Sequence, residues 1–102
     1  MKLLTLIIHT NVQQELADQL RNMDVVPGFT FSHVEGHGVQ VEDDPFLSAR
    51  DKVVGYTPRV RVEILLHDGD VDSLLETLRG ARLGVAEHGI YWVTTVEQNG
   101  RL

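Results

Sequence analysis

The chain has 102 residues, enough for one domain with a single core, and carries a formal net charge of -6 with 9 Lys and Arg against 15 Asp and Glu. Its basic residues form no run, which argues against a nucleic-acid groove. Cysteine is absent, so disulfides, thiolate metal sites and a cysteine nucleophile are excluded, in keeping with a cytoplasmic location. The opening MKLLTLIIHT lacks a small-residue cleavage site, and no stretch reaches the roughly 18 apolar residues of a membrane span, so direct membrane insertion is not expected.

Residues 2 to 9, KLLTLIIH, read as a buried strand. From Asn11 the period lengthens: Val12, Leu16, Leu20 and Met23 recur at helical spacing, with Thr10 and Gln13, or Asn11 and Gln14, in the pattern of a capping box. That helix should end before Pro27 and Gly28. Alternation from Phe29 to His37 predicts a second strand, and Arg59 to Ile64, alternating charged and apolar residues, a third. Asp68, Gly69 and Asp70 supply a turn and cap, and Val71, Leu74, Leu75 and Leu78 stripe a second helix. Gly89 opens a last strand, GIYWVTTV, before a polar tail.

The order β-α-β-β-α-β predicts one α+β domain over residues 1–102, a ferredoxin-like fold with two helices on one face of a four-stranded antiparallel sheet. The halves echo each other: LIIHTNVQQELADQL and ILLHDGDVDSLLETL each run from an apolar strand closed by His into a helix. On strand three, Val60, Val62, Ile64 and Leu66 should meet the helices, leaving Arg59, Arg61, Glu63, Leu65 and His67 on the open face. Apolar residues mixed there with charges of both signs predict packing between subunits, with Arg61, Glu63 and Glu35 pairing across strands or chains. Tyr91 and Trp92 are expected in core and interface packing.

Between strands two and three lies an excursion from about Val39 to Thr57, longer than a compact domain usually spends on a connection. Glu42, Asp43, Asp44 and Arg50 offer an electrostatic docking surface there, and Phe46 and Leu47 offer apolar anchors.

The runs VEGHGVQ, GYTPRVRVEILL, DGDVDSLLETL and IYWVTTVEQNGR resemble the PII-like signal-transduction proteins over nearly the whole chain. The resemblance implies a homotrimer, nucleotide in the clefts between subunits, and residues 39 to 57 serving as the T-loop that contacts a membrane transporter or an enzyme. Gly36, Gly38 and Gln40 match the family's G-x-G-x-Q at the loop root, and Arg101 matches a C-terminal arginine that reaches phosphate, with His9 a further anion contact. The segment ARLGVAEHGI keeps Gly84 and Gly89 of the family's second Gly-rich loop but has no lysine and adds Glu87, which argues against the family's ATP and 2-oxoglutarate sensing. ADP or AMP, with bicarbonate in some members, is the cofactor implied.

A heavy-metal-binding protein tied to an efflux system is the alternative. His9 and His67 close strands one and three, and with those strands running parallel they would stand together at one end and bind a transition metal; His33, Glu35 and His37 share a strand face as a second set. No nucleophile elbow, Walker loop or carboxylate pair in a rigid context is present, so catalysis is the least favoured class.

Overall fold

The computed structural model describes residues 1–37, 57–81 and 89–102. Strand β1 (Lys2–His9) leads through a 3₁₀ turn, Thr10–Val12, into helix α1 (Gln13–Arg21). Strands β2 (Thr30–Gly36) and β3 (Thr57–Leu66) follow, then a second 3₁₀ turn, Asp68–Asp70, helix α2 (Val71–Gly80) and strand β4 (Ile90–Thr95). The sheet has four strands in the order β2-β3-β1-β4, every neighbouring pair antiparallel. This is the expected ferredoxin-like α+β fold.

The core lies between sheet and helices. Leu4, Leu6 and Ile8 of β1 and Val60, Val62, Ile64 and Leu66 of β3 are buried, each one residue in two, as strand geometry requires when one face is covered. Leu16 and Leu20 of α1 and Leu74 and Leu78 of α2 close on them at helical spacing. Each such side chain contributes about 1.5–3 kcal/mol of transfer free energy on burial.

The internal echo is conformational as well. His9 and His67 have φ/ψ of -67°/145° and -66°/146°, and in each unit three residues of 3₁₀ helix follow before the α-helix starts four residues after the histidine. Neither helix has a side-chain cap hydrogen bond, so the expected capping box, at Thr10 and Gln13 or at Asn11 and Gln14, is not formed, and Asp70 stands at the N-cap of α2 without a side-chain cap bond. The tight turn takes over part of that work: the Asp70 N–H donates to the His67 carbonyl at 3.0 Å. Helix α1 is also shorter than the periodicity suggests, ending at Arg21. Met23 packs against the core from the turn that follows, where its N–H still donates to the Leu20 carbonyl at 3.2 Å.

Two expectations are overturned by strand direction and register. Strands β1 and β3 are antiparallel, not parallel: His9 pairs with Arg59, and Leu66, just before His67, pairs with Lys2. At ~3.4 Å per residue, the eight residues from Arg59 to His67 place the two histidines roughly 27 Å apart, too far for a shared ion. On β2, Phe31 pairs with Val62, His33 with Val60 and Glu35 with Pro58, which puts this set on the helix side of the sheet. Glu35 therefore lies on the opposite face from Arg61 and Glu63 and does not pair with them.

Candidate functional site

The open face of the sheet is set out by register. Ser32, Arg61, Ile7 and Ile90 lie in one row across the four strands, and Thr30, Glu63, Thr5 and Trp92 in the next. Thr5, though on the side away from the helices, is only 1% exposed, and its Oγ1 is sealed from solvent with no hydrogen-bond partner among the described residues. Its cover comes from neighbours. Arg61 pairs through Nε with Glu63 Oε1 at 3.2 Å, and its guanidinium stands 5.9 Å from the Trp92 ring centroid, a cation–π contact that spans from β3 to β4 above β1.

Beside this cluster the face opens into a depression of about 600 Å³, lined by Leu3, Leu65 and Glu63 and by the turn into β2, Pro27, Gly28, Phe29 and Thr30. The walls are mixed, apolar side chains alongside polar groups that include the Glu63 carboxylate and the Thr30 hydroxyl, directly opposite each other in the β2–β3 register. An open hollow of this size with both apolar and polar lining has room for a small organic ligand. Sequence cast Glu63 as a pairing residue and Leu65 as an apolar residue of the open face, but did not pick out Thr30 or join them into a hollow; the pairing of a non-helical Pro-Gly turn with strand three supplies it, and neither segment marks it alone.

At the other end of the same face sits the root of the excursion. Gly36 pairs with Thr57, and Arg59 lies alongside: a Cβ on residue 36 would come within 2.7 Å of Arg59 Cγ and 3.3 Å of Thr57 Cγ2. Glycine at 36 is thus demanded by the packing of Arg59, whatever else it serves. His9, 4% exposed, faces Arg59 from β1, so His9 and Gly36 are gathered around one arginine. Gly38, Gln40, Glu42, Asp43, Asp44, Phe46, Leu47, Arg50 and Gly84 lie outside the described residues. Gly89 immediately precedes β4, and Arg101 is exposed in the C-terminal tail.

The metal candidates are separated. His33 and His37 are exposed on the edge strand and just beyond it, and His37 Nε2 lies 3.4 Å from Glu35 Oε2. Among the described residues no three histidine, aspartate or glutamate side chains converge in a manner that could hold a metal ion.

Strand β4 differs from the expectation of core packing. Ile90, Tyr91, Trp92 and Val93 are 60%, 47%, 41% and 40% exposed, a run of large apolar side chains on an edge strand. Arginines grip it from both sides, Arg61 at Trp92 and Arg79 over the Tyr91 ring at 5.7 Å.

Fold and sequence together define a family. A family model described as "Protein of unknown function (DUF3240)" matches residues 1–102, and the chain belongs to that family. A solved DUF3240 family protein from Shewanella baltica has the same fold, with a TM-score of 0.77 at 23% identity over 99% of this chain and 94% of that one. Among curated proteins the chain is 29% identical over 76 residues to nitrogen regulatory protein P-II 2 of Methanothermobacter thermautotrophicus, covering 74% of this chain and 66% of that protein. It is 27% identical to nitrogen regulatory protein P-II of Rhizobium meliloti over 96% of this chain and 88% of that protein. The chain is thus similar, at low identity, to proteins named as nitrogen regulatory PII. No helix among the described residues is long and apolar enough to cross a membrane.

Proposed function

We propose that this protein is a PII-like regulatory protein that acts in the cytoplasm, binds ADP or AMP at clefts between the subunits of a homotrimer, and controls a transporter or enzyme through residues 39–57. The observation that carries this reading is the open-face depression: its volume suits a nucleoside-sized ligand, and it is open on one side, as half of an inter-subunit cleft would be. The exposed apolar strand β4 supports assembly, because an edge strand of this composition pairs or is covered in a stable protein. Distant relationship to proteins named as nitrogen regulators supports a signalling role over catalysis.

Control then works by differential binding. A nucleotide that favours one arrangement of the 39–57 segment shifts its population by the difference in affinity for the two states. Within one subunit the loop root lies at the other end of the face from the depression, so Gln40 and the flanking Gly36 and Gly38 of the adjacent subunit contact the ligand across the cleft, Arg101 reaches its phosphate, and bicarbonate is a second anion to include.

Calorimetric titration of ADP, AMP and ATP, with and without bicarbonate, into the wild-type protein and a Gln40→Ala, Arg101→Ala variant tests the reading. Saturable binding of one ADP or AMP per subunit, weakened in the variant, is the expected result. Absence of heat at high micromolar nucleotide, confirmed by a second probe, overturns it.

A further inference from the structure

We infer that Arg61 is a positioning residue that holds the Glu63 carboxylate at the rim of the depression and passes its state to Trp92 on the exposed strand β4. This rests on the reading of the depression as a ligand site. Glu63 is the only carboxylate lining that hollow among the described residues, and its Oε1 forms an ion pair with Arg61 Nε at 3.2 Å without hydrogen-bond geometry, a hold with which a ligand's donor can compete. The other end of the same guanidinium lies against the Trp92 ring at 5.9 Å. Arg61 and Glu63 side chains are 41% and 35% exposed, so the pair is worth little as a stabilising contact. Its position between a hollow and an apolar edge gives it another use.

Geometry explains why a movement at Glu63 reaches Trp92. Both flank Thr5 in register, one on each side of β1, Thr5 between them is buried, and Arg61 links the two flanks, paired with Glu63 and 5.9 Å from the Trp92 ring centroid. A ligand that draws Glu63 toward the depression loosens its hold on Arg61 and changes where the guanidinium lies on the indole. Because β4 presents the exposed apolar run, the relay links occupancy of the hollow to the surface that a neighbouring subunit would cover. Such a link is a coupling between two sites and is tested as one.

Trp92 is the single tryptophan of the chain, so its signal is unambiguous. In ligand-free protein, Glu63→Gln is expected to shift the Trp92 indole N–H resonance, whereas Glu76→Gln on the exposed side of α2 leaves it in place; an unshifted indole in Glu63→Gln overturns the relay. With ADP as the probe, wild-type Trp92 emission is expected to change with the same midpoint as the calorimetric heat. Arg61→Gln is expected to bind ADP about three- to tenfold more weakly and to lose the emission change, with Arg61→Lys recovering affinity but not the planar contact that the indole reports. Heat without any emission change in the wild type overturns the relay. Absence of heat overturns the nucleotide reading, and the ligand-free indole measurement still decides the relay.

Discussion

Arg59 occupies the space that a side chain at position 36 would need. The Cβ of an alanine there would stand 2.7 Å from Arg59 Cγ and 3.1 Å from its Nε. The nearer contact is with a carbon close to the strand backbone, so relief requires the whole arginine side chain to move off β2. Gly36→Ala is expected to cost about 1–3 kcal/mol, as overpacking does at tight sites. Urea denaturation measures it, and the double variant Gly36→Ala, Arg59→Ala should recover most of the loss, because the clash needs both residues. Additive losses would show that Gly36 is required for its backbone and not for the room it leaves.

His9 and His67 make a second contrast. They are equivalent in the two β-3₁₀-α units, yet His9 is buried beside Arg59 and His67 is exposed at the far end of the sheet. His9→Ala removes a packed side chain from the loop root and should destabilise by about 1–3 kcal/mol, while His67→Ala should stay within about 0.5 kcal/mol of wild type. Thermal or urea unfolding of the two single variants and the double variant checks this. Their separation predicts additivity, and a strong coupling energy would contradict the antiparallel register that places them apart.

These histidines also mark what sequence could and could not show. Alternation at Val60, Val62, Ile64 and Leu66 named the covered face of β3 because period two is a local property, and the helical stripes at Leu16, Leu20, Leu74 and Leu78 named the covering layer for the same reason. Strand direction is not local. A histidine at the end of each repeat looks like a pair until the split β-α-β connection turns one strand over. The same holds for the site: Gly36 was visible as a glycine, but its reason, the arginine lying across it, depends on register between β2 and β3. The depression was invisible because its two walls come from segments more than 30 residues apart, Pro27–Thr30 and Glu63–Leu65, and neither carries a motif.

Strand β4 carries a prediction about assembly. Ile90 is 60% exposed and touches little of the core, so Ile90→Lys should leave the folding of a single subunit nearly unchanged. If β4 is covered by a second copy, the buried lysine charge should shift the protein from trimer to monomer at micromolar concentration. Light scattering coupled to size-exclusion chromatography reads the mass directly. A wild-type protein that is monomeric at that concentration removes the premise, and a trimer that tolerates Ile90→Lys assigns the contact to another surface.

The start of the second β-3₁₀-α unit carries a pH dependence. The Met1 ammonium lies 2.9 Å from Asp68 Oδ1, and its hydrogen bond holds the Asp68 carboxyl below its ordinary value of 3.8, with smaller help from the charges of Lys2 and His67. A carboxyl lowered in the folded state favours folding at pH above the ordinary value, and that contribution disappears as pH falls through the lower, folded-state value. The contribution is small because Asp68 faces solvent. Carboxyl-detected NMR titration should place Asp68 below its ordinary value, and blocking the Met1 amine should return it toward that value. Raising salt should shrink the difference, since the charges of Lys2 and His67 act through solvent, while the direct hydrogen bond persists. An Asp68 titration unaffected by the blocked amine would mean that the contact is not held in solution.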